Sequence, residues 1–234
     1  MQLNEEILSG FETRGVEDNL RELVQLFPGR VVFSTSFGFE DQVITQLIHN
    51  AGADIGIFTL DTGRLFPETY STWNATVERY GIPIKAYYPD AGKLGEWTSV
   101  NGPNAFYVSP ELRKSCCHIR KVEPLRKALA GQKVWITGIR ASQSSERKDT
   151  PILEWDPVHE IIKYHPLLHW SDEETKDFIK AWNVPYNPLH DKGFVSIGCA
   201  PCTRAIRPGE DFRAGRWWWE DQSKKECGLH VKTA

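Results

Sequence analysis

The chain has no run of about eighteen apolar residues, so no helix that crosses a membrane is expected. It opens on an acidic stretch, residues 1–10, without the basic region and apolar segment of a secretory leader, and the expected location is the cytoplasm. Positive charge is not in excess: 28 Lys and Arg stand against 31 Asp and Glu, a net −3, which argues against general nucleic-acid binding. Neither GxxxxGK[ST] nor GxGxxG occurs, so a P-loop and a dinucleotide fingerprint are both missing. Internal repeats and low-complexity tracts are absent as well. Cysteine is scarce, and its count of five is odd. In a compartment that keeps thiols reduced, such cysteines are expected to be ligands or catalysts rather than disulfides.

With 40% hydrophobic and 25% charged residues over 234 positions, the composition is that of one ordinary globular core. Apolar, β-branched runs alternate with helix-like patterns. Residues 31–35 read as a strand leading through Ser36-Phe37-Gly38 into a helix over 42–50, whose Val43, Ile44, Leu47 and Ile48 share one face. Further strands are predicted over 54–60, 82–88, 133–138 and 159–164, with helices over 67–80 and 112–129. Ser171 with Glu174 has capping-box spacing and predicts a helix to about Trp182. From Pro185 onward proline, glycine and charge predict loops and turns. The alternation implies a mostly parallel sheet covered on both faces, and ligands then belong beyond the carboxyl ends of the strands. Those ends are Thr35 to Gly38, Asp61 to Arg64 and Gly138 to Arg140.

Ser34-Thr35-Ser36-Phe37-Gly38 lets backbone N–H groups approach an anion at a helix start, although small residues also occur in any strand-to-helix turn. Asp61-Thr62-Gly63-Arg64 offers polar groups to a nucleoside, or is an ordinary turn with Gly63 at positive φ. Arg140, Arg147 and Lys148 fall together in a polar loop, where an arginine fork can grip phosphate or sulfate and where solvated cations are also common.

Cys116-Cys117 lies in a predicted helix and Cys199-Ala200-Pro201-Cys202 forms a CxxC. Adjacent helical residues diverge by about 100°, which suits a single ion poorly and a cubane with separated iron corners better. Zinc, and two buried thiols beside a redox CxxC, stay open as readings. Lys114, Arg120 and Lys121 crowd the first pair, and Arg204 and Arg207 follow the second; Lys127 suits an exposed helix face. Cys227 has no cysteine near it in sequence. Lys224, Lys225 and His230 favour its thiolate while Glu226 opposes it, and by itself a lone tail cysteine is more often incidental than catalytic.

Three segments, taken in order, resemble the assimilatory adenylyl-sulfate reductases of the phosphoadenylyl-sulfate reductase family. They are Lys114-Ser115-Cys116-Cys117-His118-Ile119-Arg120-Lys121-Val122-Glu123-Pro124-Leu125, the Cys199/Cys202 segment running to Gly209-Glu210-Asp211-Phe212-Arg213-Ala214-Gly215-Arg216-Trp217, and Glu226-Cys227-Gly228-Leu229-His230. The resemblance spans Ser34 to His230. It implies an adenine-nucleotide α-hydrolase-like α/β fold, with residues 1–207 as the nucleotide-binding domain and 208–234 as a mobile tail. It implies a 4Fe-4S cluster on Cys116, Cys117, Cys199 and Cys202, and Cys227 as nucleophile with His230 near it. Ser34, Ser36 and Gly38 would lie at the nucleotide loop, and Leu60, Asp61, Thr62 and Gly63 at the adenosine. Lys121, Arg140, Arg213 and Arg216 would contact the phosphosulfate or screen the cluster. The implied substrate is adenosine 5′-phosphosulfate and the implied partner is thioredoxin or glutaredoxin, with a homo-oligomer left open. The first loop departs from the SGGxDS pattern of ATP-using relatives, which weakens an ATP pyrophosphatase reading. The rivals are a reductase of the 3′-phosphorylated nucleotide, an adenylyltransferase or tRNA-thiolating enzyme, and a zinc-stabilised binding module.

Overall fold

The computed structural model describes residues 10–143 and 147–220. Six strands form one sheet in the order β3-β2-β1-β4-β6-β5: β1 Val31–Thr35, β2 Gly56–Leu60, β3 Ile84–Tyr87, β4 Val134–Ile136, β5 Leu153–Asp156 and β6 Ile161–Tyr164. All neighbours pair in parallel except β5, which runs antiparallel to β6 at the edge. The period of two along β1 and β4 sends Val31, Phe33, Val134 and Ile136 to one face and Val32 and Trp135 to the other. Helices α1 Val16–Leu26, α2 Phe39–Ala51 and α7 Asp172–Ala181 cover the first face through Leu20, Leu23, Val43, Ile44, Leu47 and Ile179. On the second face Leu125, Ala128 and Leu129 of α6 Glu123–Leu129 pack on Val32, Phe58 and Trp135. Among the described residues no helix is long and apolar enough to cross a membrane.

The remaining helices are α3 Pro67–Tyr80, α4 Ala91–Asn101 and α5 Pro110–Cys117. The helix predicted over 112–129 is divided: α5 passes into a π turn, His118–Val122, before α6. Pro124 has no N–H to give to the carbonyl four residues back, and the wider turn absorbs that lost bond while re-aiming Arg120 and Lys121. Helix α4 escaped the pattern because it carries Gly92 and Gly95 and buries only Trp97; Asp90 caps it by accepting from Lys93 N at 3.0 Å. The predicted strand over 159–164 begins only at Ile161, because Glu160 turns the chain at φ 52° to form the hairpin with β5. The capping box forms as read, with Ser171 Oγ accepting from Glu174 N at 3.1 Å and Glu174 Oε2 accepting from Ser171 N at 2.7 Å. From Pro185 to Glu220 the described chain holds short 3₁₀ turns and bends. The residues after 207 do not leave the body at once: Ala214 and Trp217 are buried, and Arg216 bridges to Thr203. The reason is the apolar surface of Trp217 and Trp219, which packs around the cysteine segments.

Candidate active site

Strand order reverses between β1 and β4, and a cleft opens beyond their carboxyl ends, as open parallel sheets dictate. This cavity of about 220 Å³ is lined by Ser34 to Phe37 at the end of β1 and just beyond it, Thr59, Leu60 and Thr62 of the β2 end, and Thr137 and Gly138 after β4. Five expected residues, Ser34, Ser36, Leu60, Thr62 and Lys121, therefore meet at one place. Phe37 adopts φ 62°, costly for a residue with a β-carbon, and is kept there by stacking on Trp73 at 5.6 Å and by donating N–H to Thr35 Oγ1 at 3.1 Å. Asp41, in the first turn of α2, accepts from Ser36 N at 2.6 Å and from Ser36 Oγ at 2.7 Å. Burial pushes the Asp41 carboxyl up to about 6, against the pull of those bonds. Gly138 lets β4 pass close to that carboxylate, since a β-carbon there would strike Asp41 Oδ1. Asp61 turns away from the cleft: it accepts from Gly63 N at 2.8 Å and Tyr70 Oη at 2.9 Å, and Gly63 has the positive φ, 68°, that such a turn requires. Gly38 caps α2 and lines an adjoining cavity with Glu40, Arg147 and Arg213; Ile197 belongs to both.

Beside this cleft all four clustered cysteines line a second, more enclosed cavity with Arg64, Arg113, Arg120 and Lys121. Cys116, Cys199 and Cys202 are buried and Cys117 is half-buried, and none is in a disulfide. The α5 end supplies the first pair, and the turn Ala200–Cys202 with Cys199 just before it the second; Ala200 N donates to Arg64 O at 2.8 Å, which ties that turn to the loop after β2. Their charges are set by position. Burial pushes the Cys202 thiol up to about 12, and the neighbouring Cys199 adds to this. Burial raises Cys116 too, and the Arg120 guanidinium beside it only partly offsets that. At Cys199 burial also opposes ionisation, but Lys121, Thr62 Oγ1 at 3.2 Å and Arg216 together outweigh it and the thiol falls below its usual range.

Two buried donors, Arg120 Nε and Arg216 Nε, have no acceptor among the described residues, an arrangement that suits an electron-rich group between the thiols. Among the described residues no three His, Cys, Asp or Glu side chains converge as they would on a single metal ion. All four thiols line the one cavity. Their type, closure from solvent and cationic surround fit a polynuclear iron–sulfur group.

The cations divide by role. Lys121 lines both cavities and is the side chain they share. Arg216 lies over Trp217 at 5.0 Å and presses against Gly198, whose backbone forms the wall between the cleft and Cys199. Arg213 faces the adjoining cavity rather than the main one. Arg140 is buried in ion pairs: it meets Glu40 at 2.8 Å, bonds Asp172, and donates to Ser142 Oγ at 2.9 Å and Trp170 O at 3.2 Å. Its fork is spent on holding the loop after β4 to α2 and α7, and the structure does not bring it into the cleft. Cys227 and His230 lie outside the described residues, as do 144–146.

Several lining residues escaped the sequence reading: Thr59, Thr69, Trp135, Thr137, Ile197 and Gly198. Thr137 carries a signal visible only in three dimensions. Its hydroxyl meets Nδ1 of the fully buried His165 at 2.7 Å, so a histidine 28 residues away orients it. Trp135 Nε1 donates to Ser34 Oγ at 2.8 Å, which ties β4 to the end of β1.

Comparison with known proteins matches this architecture. An adenosine 5′-phosphosulfate reductase from Burkholderia cepacia is 50% identical over 204 residues, covering 87% of this chain and 82% of that protein. The crystal structure of a phosphoadenylyl-sulfate reductase from Candida auris superposes with a TM-score of 0.73 at 26% identity, covering 88% of this chain and 99% of that one. An FMN adenylyltransferase from Candida glabrata, at 16% identity and a TM-score of 0.57 over 86% of this chain and 66% of that one, shares the fold alone. The nucleotide α-hydrolase-like class expected from the sequence is therefore observed. Residues 30–205 match the family described as the phosphoadenosine phosphosulfate reductase domain, and they hold both the switch-point cleft and the four clustered cysteines, so the chain belongs to that family.

Proposed function

We propose that the protein reduces adenosine 5′-phosphosulfate to sulfite and AMP in the cytoplasm, for sulfate assimilation, with thioredoxin or glutaredoxin as the dithiol donor. The observation that carries this reading is the shared wall: Lys121 belongs both to the cleft at the strand switch and to the four-cysteine cavity. A nucleotide in the cleft then presents its anionic end to Lys121 and, past Gly198, to the field of Arg216. Ser34, Ser36 and Thr62 supply hydrogen-bond partners, and Leu60 and Leu125 apolar surface, from the cleft wall.

Cys116, Cys117, Cys199 and Cys202 would hold a 4Fe-4S cluster, whose chemistry here is to order the two cysteine segments and to set the local field. The bond-making belongs to the chain. The Cys227 thiolate attacks the sulfonyl sulfur, the sulfur–oxygen bond to phosphate breaks, and AMP leaves with that electron pair. Its departing charge is balanced by lysine and arginine. An S-sulfocysteine remains. A thiolate of the partner then attacks Cys227 Sγ, sulfite departs, and the partner's second thiol resolves the mixed disulfide, so the two electrons come from the dithiol.

The test is a single turnover without dithiol. The intact chain should gain one SO₃ on Cys227 and release AMP, while Cys227→Ser should bind AMP and keep its visible absorbance but form neither adduct nor sulfite. Turnover by that variant would remove Cys227 from the reaction. Equal rates with the 3′-phosphorylated nucleotide would make the second substrate as good a description as the first.

A further inference from the structure

The last described residue, Glu220, is held by two charge-assisted bonds. Arg113 donates from Nε to Oε1 at 2.7 Å and from Nη2 to Oε2 at 2.9 Å, with the two side chains only 3% and 9% exposed. Such a fork-to-carboxylate pair, withdrawn from water, is rigid because either charge alone would be stranded. The same guanidinium lies 4.5 Å from the Trp217 ring. Trp217 N bonds to Cys202 O at 3.2 Å, and Trp219 packs edge-on to Tyr107 at 4.4 Å. Residues 217–220 are therefore clamped against both cysteine segments, and the clamp ends seven residues before Cys227.

We propose, on the reading of Cys227 as the nucleophile, that Glu220 is a positioning residue for the sulfur transfer, fixing the root of the tether that carries the thiol. Seven residues reach at most about 25 Å, so a fixed root confines the thiol to a small volume and raises its effective concentration at the cleft. Without the carboxylate, Arg113 loses its charge-assisted partner, and Trp217, over which it lies, is freed with the chain back to the Thr203–Arg216 bridge. Lengthening the tether from seven to about eleven residues dilutes its end about twofold by the −3/2 power of length. Lost orientation adds to that.

The measurement is the rate of SO₃ adduct formation on Cys227 at saturating adenosine 5′-phosphosulfate without dithiol, in the iron-loaded full chain. Glu220→Ala should slow it roughly three- to tenfold, with AMP affinity and visible absorbance unchanged. Glu220→Gln, which keeps the shape and one acceptor, should fall in between. An undiminished rate in Glu220→Ala overturns the proposal. So does a fall in rate matched by equal losses of AMP affinity and absorbance, which marks a merely structural residue. Absence of any adduct in the unmodified chain refutes the nucleophile reading beneath it, and the positioning role with it.

Discussion

Replacing Gly198 by Ala probes the wall between the cleft and the cysteines with a single methyl group. A β-carbon at this position would lie 2.6 Å from Arg216 Cζ and 2.7 Å from Nη1, where ordinary contact begins near 3.4 Å. The guanidinium must retreat by about 1 Å, and it has little room to do so: Arg216 is 8% exposed and lies over the buried Trp217 ring. A charge displaced by about 1 Å from its working position costs up to about 10²-fold in rate. The expectation is thus a loss of roughly 30- to 100-fold in kcat/KM, about 2–3 kcal/mol, and about 1–3 kcal/mol of stability from overpacking. The assay is sulfite release with a thioredoxin donor, run beside calorimetric AMP binding and thermal unfolding. A cycle with Arg216→Ala isolates the cause, because the methyl group should be nearly silent once the guanidinium is gone. If Gly198→Ala retains full kcat/KM, or if its loss persists undiminished in the Arg216→Ala background, then Arg216 is not the side chain through which this wall acts.

Cys199→Ser and Cys202→Ser should each abolish the visible absorbance and the sulfite-forming activity together, as measured by iron content and turnover; retained iron would favour a redox role for the CxxC. Asp41 should leave a signature in the pH dependence of stability. Its carboxyl is raised to about 6 in the folded chain, so its protonated form is the one folding favours, and the stability it contributes is present in full below the ordinary carboxylate range and lost as pH rises through about 6. Two units correspond to at most about 3 kcal/mol. Denaturant titrations of the parent and Asp41→Asn should diverge by up to that amount between about pH 4 and 6.5, and parallel curves would show that the folded carboxyl is not raised.

The class of fold and the kinds of chemistry are legible in the residues alone. The apolar runs at 31–35 and 133–138 are central strands because their residues must be buried on both faces, and that demand is written in composition alone. The loops after these and the 54–60 strand belong at the strand ends by connectivity, which placed Ser36 and Thr62 at a ligand site before any coordinates, while Leu60 was placed there by the family resemblance. The two cysteine pairs announced a ligand set through residue type and order. Only the tertiary structure decided which side chains those loops meet. Arg140 looks in sequence like an anion clamp, but Glu40 and Asp172, 100 and 32 residues away, neutralise it. Thr137 looks like nothing, but His165 turns its hydroxyl at the edge of the cleft. Glu220 follows three tryptophans, and its partner Arg113 lies 107 residues earlier, on the helix that bears the first cysteine pair. Local pattern reports the period of a helix or strand and the burial it demands. Charge pairing across the fold depends on distances of a few ångströms between residues remote in sequence, and these exist only once the sheet and its helices have packed.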